Sequence, residues 1–243
     1  MHGWRHDGVV TDSPAWRATA EHRRIYRSDP SAPSPASLTE GFTKLSRAVY
    51  TGLRDGGLDR EATFDLACWL MDWGLFSQAV LELAEESVQG TDPLQLAGLA
   101  AQVLEESGWR PGFDAEPRLL AELENALEAV EADMRATGLA GPVGLSFADN
   151  SDSYLRNVFA DFRGDFSWTS GISPDRAGDR LSALLAVADD VQDAVMGSLM
   201  IAGPACPEHR LGAHPVEHDC QAVWWCNGGP AGHVIAPIGH WSA

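Results

Sequence analysis

Apolar residues recur at helical spacing over most of the chain that follows residue 36. The run Ser37-Leu-Thr-Glu40 matches a capping box, in which the serine side chain and the glutamate three residues later satisfy each other's backbone amides. We therefore expect a first helix from Ser37 that stops at Gly56-Gly57. The same signals predict four further helices, which start near residues 59, 77, 93 and 116.

These five helices are joined by short turns, which predicts a bundle or a short helical array. Their starts follow no fixed period, so a solenoid repeat is not expected. Because Gly141-Pro142 interrupts the pattern, we predict an acidic helical domain over residues 37–141 and a second region over residues 142–243.

The second region begins with two further predicted helices. The first is an amphipathic helix that carries Tyr154, Leu155, Val158, Phe159 and Phe162 on its apolar side. The second opens at Ser173-Pro174 and ends near Gly203-Pro204.

Strand character is expected only near the C-terminus. Residues 222–226 and 233–236 are rich in strand-forming side chains and flank a glycine-rich loop, which is typical of a short β-hairpin. The predicted fold class is therefore mainly α, with a five-helix bundle or array followed by a two-helix segment that ends in a small Cys/His β-hairpin module.

Residues 1–36 have a different composition. They are polar, contain five arginines and end in a proline-rich stretch, which predicts a disordered tail and linker. The N-terminal residues lack the apolar core of a signal peptide, and no run of 18 apolar residues occurs in the chain. We therefore expect a cytoplasmic protein without membrane attachment, in which cysteines stay reduced.

The charge balance limits the classes of partner. The chain has 35 acidic and 17 basic residues, and the resulting net charge of −18 repels phosphate backbones and anionic lipid. We expect no nucleic acid or membrane partner, and instead a protein partner with a basic surface. Lys44 is the only lysine, and together with abundant alanine and glycine this favours a high-GC bacterial origin.

Residues that can ligate a metal are concentrated at the C-terminus. Three of the four cysteines and five of the eight histidines lie in the last 38 residues. Cys206 and His209 form a C-x2-H pair, and Cys226 and His233 form a second pair across a loop that glycine allows to turn tightly. Thiolate and imidazole are ligands that zinc prefers, so we predict a structural zinc site with these four residues.

Three further residues remain alternatives for one position in this site, namely His214, His218 and Cys220. A β segment of this size cannot easily build its own core, and a structural zinc contributes on the order of 10 kcal/mol to folding. Trp224, Trp225 and Trp241 are expected to pack around it.

The layout of residues 204–240 resembles small zinc-ribbon or zinc-knuckle modules, in which a hairpin carries one ligand pair. The resemblance implies a structural metal, although Cys226-x6-His233 stands where such modules have a second CxxC. The helical remainder resembles no named family.

Catalytic signatures are missing from the sequence. It contains no HExxH, no zinc-deaminase signature, no GxSxG and no P-loop. Asp189, Asp190 and Asp193 are expected to be exposed helix charges. The leading hypothesis is a non-enzymatic, zinc-stabilised protein-interaction or regulatory protein, including an immunity-type role. The alternative is a metal-dependent hydrolase that uses the C-terminal His/Cys cluster, with His214 or His218 in its site.

Overall fold

The computed structural model describes residues 35–85, 92–139, 141–147, 157–166 and 169–242. The predicted tail therefore lies almost entirely outside the described residues. The chain divides into two compact units, residues 1–110 and 111–243. The division falls between Arg110 and Pro111 instead of at Gly141-Pro142, because the fifth predicted helix packs within the second unit.

The first unit contains four helices: α1 (Pro35–Asp55), α2 (Arg60–Asp72), α3 (Gln78–Glu85) and α4 (Pro93–Ser107). All four contribute buried apolar side chains to one core, as the amphipathic pattern predicts. These side chains include Val49, Leu66, Leu70, Val80, Leu83, Leu96, Val103 and Leu104.

Capping residues set several of these helix ends. The Asp59 side chain accepts hydrogen bonds from the amides of Glu61 and Ala62, as predicted. Gly108 ends α4 with a φ of 71°, a conformation that glycine adopts without strain. The start of α1 was misplaced by the sequence pattern, since this helix begins at Pro35 and already contains Ser37.

The second unit combines two long helices with two small antiparallel sheets. Its elements are α5 (Pro117–Ala136), β1 (Val143–Phe147), β2 (Val158–Phe162), a short 3-10 helix (Pro174–Ala177), α6 (Arg180–Leu199), β3 (His214–His218), β4 (Gln221–Cys226) and β5 (His233–Pro237). Strands β1 and β2 form one sheet, and β3, β4 and β5 form the other, with β4 in its centre.

The helix predicted around residues 154–162 is wrong where the structure describes it. Residues Val158–Phe162 form β2, whose alternate side chains Val158, Ala160 and Phe162 are buried. Residues four positions apart lie on one side of a helix and also on one face of a strand. Four residues are close to one helical turn of about 3.6 residues and equal two strand repeats of two residues. The pattern therefore could not separate the two structures.

The second long helix starts later than predicted. Pro174 opens only the short 3-10 helix, and α6 begins at Arg180 after Asp179, whose side chain accepts a hydrogen bond from the Ser182 amide. Asp190 on α6 is also not an exposed charge. It is buried, and it accepts hydrogen bonds from the amides of Ala160, Ser170 and Gly171.

The core of the second unit is formed by α5, α6, β2 and the three-stranded sheet. Its largest fully buried side chains include Leu123, Met134, Phe162, Val187 and Trp224. Among the helices that the structure describes, none has both the length and the apolar character needed to cross a membrane.

Candidate metal centre

Four side chains converge beside the three-stranded sheet: Cys206, His209, Cys226 and His233. One donor atom of each lies within 4.8 Å of the donors of the others. Cys206 Sγ is 3.7 Å from His209 Nδ1 and 3.6 Å from His233 Nε2, and Cys226 Sγ is 3.6 Å from His209 Nδ1. These are the four residues that the spacing favoured, and this Cys2His2 cluster can hold a metal ion.

Hydrogen bonds in the loop between α6 and β3 position the first pair. The Arg210 amide donates to the Cys206 carbonyl, and the Cys206 amide donates to the Leu211 carbonyl, each over 2.8 Å. Arg210 adopts a left-handed backbone with a φ of 54°. We refer to residues 204–212 as the metal loop. Its tight turn places the side chains of Cys206 and His209 on the same side.

Strand pairing positions the second pair. Cys226 ends β4 and His233 begins β5, and the two residues are direct partners in the antiparallel register. The loop between them passes close to the first pair, because Gly228 lies against the His209 ring. A Cβ atom on Gly228 would clash with His209 Cγ and would be 2.6 Å from Nδ1.

The surroundings of the two thiols differ. Burial raises the pKa of Cys206, but the amides of His209 and Glu208 and the His209 side chain favour the thiolate more strongly and lower that pKa to about 6. Burial raises the pKa of Cys226, and the nearby Cys206 raises it further, although the Gly228 amide donates to its sulfur over 3.2 Å.

Glu208 is the carboxylate closest to the two histidines among the ion pairs of the described residues. Its side-chain oxygens lie 3.9 Å from His209 Nε2 and 4.0 Å from His233 Nε2. The cluster therefore combines two sulfur donors, two imidazoles and one adjacent negative charge, which is a favourable environment for a cation.

The three alternative ligands lie outside the cluster. His214 and His218 are exposed at the two ends of β3, a strand that the sequence analysis missed. Cys220 is exposed in the two-residue turn between β3 and β4, where Asp219 and Cys220 have φ values of 50° and 59°. Two consecutive left-handed residues are typical of a type I′ hairpin turn.

Asp133 on α5 supports the sheet that carries Cys226, although no motif in the sequence marks this residue. It is 1% exposed and accepts hydrogen bonds from Trp224 Nε1 at 2.7 Å, from the Gly239 amide at 2.6 Å and from the Trp241 amide at 2.8 Å. The sequence offers one indication of this role, because Asp133 lies between Val130 and Met134 on the apolar face of α5. An aspartate that is buried there needs hydrogen-bond donors.

The tryptophans pack as expected only in part. Trp224 is fully buried in the core of the second unit, where Trp241 meets its ring edge-on. Trp225 is half-buried and donates from Nε1 to Asn227 in the loop before His233.

Comparison of the chain with models of protein families, with curated proteins and with solved structures finds no match.

Proposed function

We propose that the protein is a non-enzymatic, zinc-stabilised protein-interaction or regulatory protein. One observation carries this proposal: the structure brings two thiols and two imidazoles from two separate segments within 4.8 Å of one another. In this proposal the metal is structural, and it holds the metal loop against the β4–β5 hairpin.

The distances support zinc as the metal. Zinc binds thiolate sulfur at about 2.3 Å and imidazole nitrogen at about 2.0–2.1 Å, so a regular tetrahedron separates sulfur from nitrogen by about 3.6 Å. The three sulfur–nitrogen distances given above are 3.6 or 3.7 Å. Three of the six donor separations therefore already fit a tetrahedral shell, and the other three lie within 4.8 Å.

A structural role is supported by the number of donors. Four protein ligands close the coordination shell of zinc, whereas catalytic sites keep one position open for water or substrate. Both sulfurs are buried, and backbone amides already donate to them. Such outer contacts orient ligands and stabilise their charge.

The proposed interaction role is supported by the charge of the chain. A net charge of −18 favours partners with basic surfaces through long-range attraction. A zinc-stabilised hairpin supplies a surface for such a partner, because four ligands hold the metal loop and strands β4 and β5 in one arrangement.

Elemental analysis of the purified full-length protein tests the metal site. We expect about one zinc per chain. Cys206→Ser, His209→Ala, Cys226→Ser and His233→Ala should each lower that content sharply. His214→Ala, His218→Ala and Cys220→Ser are matched controls from the same sheet, and they should keep it. Retention of zinc in the first group, or loss in the second, contradicts the assignment.

The same variants separate a structural from a hydrolytic site. A structural site predicts that Cys226→Ser lowers the melting temperature and loosens the hairpin. If this variant keeps the fold but loses a hydrolytic activity that the unaltered protein shows, the non-enzymatic proposal is wrong.

A further inference from the structure

Four exposed apolar side chains lie around the C-terminal end of α6: Met196, Met200, Ile201 and Leu211. They are 46%, 81%, 46% and 49% exposed. We refer to these four residues as the methionine patch. Single exposed apolar side chains are ordinary, but three of these four lie within six residues of the chain, and such grouping favours an interaction site.

One member of the methionine patch, Leu211, belongs to the metal loop. A Cβ atom on Gly212 would be 2.8 Å from Ala202 Cβ, so the neighbours of Leu211 and Ile201 are in contact. The Leu211 carbonyl accepts a hydrogen bond from the amide of Cys206 over 2.8 Å. The position of Leu211 thus depends on the segment that carries the metal ligands.

Met200 is an unusual residue for its position. It ends α6 in a left-handed conformation with a φ of 56°, where glycine or asparagine is the common choice. A methionine there costs backbone energy and exposes an apolar side chain. No charged residue occurs between Asp193 and Glu208.

An acidic pair continues the same helix face. Asp189, Asp193 and Met196 are spaced by four and three residues, which places them in one stripe along α6, and Met200 follows at the C-cap of the helix. Burial raises the pKa of Asp193, and the charges of Asp189 and Asp190 raise it further. Within the part of the chain that the structure describes, neither Asp189 nor Asp193 forms an ion pair.

We propose that this stripe binds a basic amphipathic segment of a protein partner. Arginine or lysine side chains of the partner pair with Asp189 and Asp193, and its apolar side chains cover the methionine patch. Methionine suits such a surface because its flexible, polarizable side chain adapts to different shapes. The inference rests on the proposed function in one respect, since the metal loop holds Leu211 in the patch.

Charge decides between this partner and a second copy of the chain. Another copy carries the same net charge of −18, and this charge opposes the association of two copies. Like charges facing each other across an interface disfavour the complex, whereas a basic segment neutralises them.

A synthetic peptide tests the proposal on the zinc-loaded, full-length protein. The probe is an amphipathic helical peptide with leucines and arginines on one face, and its matched control carries glutamate in place of arginine. Binding is followed through the methyl signals of ¹³C-labelled methionines. We expect the arginine peptide to shift the signals of Met196 and Met200 and to leave those of the buried Met134 and of Met71 unchanged.

Variants identify the contributing residues. Met200→Gly removes the side chain at a backbone position that glycine favours, so the fold is kept, and we expect binding to weaken about tenfold. Asp189→Asn together with Asp193→Asn should also weaken binding about tenfold and reduce its salt dependence. Glu124→Gln, an exposed change on α5, is the matched control and should have no effect.

The outcomes separate this proposal from the metal assignment, because zinc content is measured in the same samples. Zinc-loaded protein that does not bind, or that binds both peptides equally, overturns the docking proposal and leaves the metal site intact. Sedimentation that shows self-association lost in Met200→Gly would assign the patch to a second copy and also overturn it. Protein without zinc contradicts the proposed function instead.

Discussion

At the residue scale, Gly228 shows how closely the backbone packs against a candidate metal ligand. Its backbone approaches the His209 ring so closely that a Cβ atom would be 2.6 Å from the donor atom Nδ1. Gly228→Ala should therefore displace the ring and weaken zinc affinity by about ten- to a hundredfold, the range found for changes next to metal ligands. Competition with a chromogenic chelator measures the affinity.

A second glycine variant serves as the control. A Cβ atom on Gly98, within α4, would meet nothing within 4 Å. Gly98→Ala should leave zinc affinity unchanged and raise helix stability by up to about 1 kcal/mol. Equal affinity in both variants would show that the contact with His209 is unimportant.

The two thiols should release different numbers of protons when zinc binds. Lowering the pKa of Cys206 to about 6 leaves it largely ionised at pH 7.5 before the metal arrives. The raised pKa of Cys226 keeps that thiol protonated, and its proton must leave as the ligand forms. We expect about one proton per zinc from the thiols near pH 7.5, and more below about pH 6, where Cys206 is also protonated.

Calorimetry in buffers of different ionisation enthalpy measures this proton count. Because protons compete with zinc for sulfur, affinity should fall as the pH decreases, and more steeply below about pH 6. Release of two thiol protons near pH 7.5 would contradict the difference between Cys206 and Cys226.

At the element scale, Asp133 links α5 to β4 and to the residues that follow β5. Its two oxygens accept from three donors, with Oδ1 facing the Trp241 amide and Oδ2 facing Trp224 Nε1 and the Gly239 amide. Asp133→Asn must point an NH2 group at one of these donors. We expect a loss of roughly 1–3 kcal/mol in the free energy of unfolding, measured by denaturant titration.

The exposed Glu124 on the same helix supplies the comparison. Glu124→Gln removes a charge without disturbing a buried hydrogen bond, and its effect should stay within about 0.5 kcal/mol. Similar losses for both variants would mean that Asp133 contributes only its charge.

Elements with local signals were predictable from the sequence. The cap at Asp59, the end of α4 at Gly108 and the β4–β5 hairpin all depend on residues close together in the chain. Strand β2 was mistaken for helix, because its partner β1 cannot be found from residues 158–162 alone. Strand β3 was missed since its turn, Asp219-Cys220, lacks the glycine that usually marks it.

The spacing of cysteines and histidines indicated the four candidate ligands. It did not indicate the buried aspartates that hold the surrounding elements in place. Cys206 with His209, and Cys226 with His233, are local pairs whose chemistry is evident from residue type. The contacts of Asp133 reach residues more than ninety positions away, and those of Asp190 reach three backbone amides. Such contacts depend on tertiary packing, which no local pattern encodes.

At the scale of the whole molecule, the two units should respond differently to metal removal. All four candidate ligands belong to residues 111–243, and the first unit has its own apolar core. Zinc contributes on the order of 10 kcal/mol to the folding of small modules. Chelation of the full-length protein should therefore destabilise the second unit and leave the first unchanged.

Hydrogen–deuterium exchange followed by peptide mass analysis separates the two responses. After chelation, peptides from the metal loop, β4 and β5 should exchange at least about tenfold faster, because the hydrogen bonds between these strands open more often. Peptides from α1, α2 and α4 should exchange at the same rate as before, and they form the internal control. Returning zinc should restore protection from exchange to β4 and β5, because removal of the metal from its four ligands caused the loss of protection. Faster exchange in both units would mean that the metal stabilises the whole chain, and unchanged exchange throughout would remove the structural role of the site.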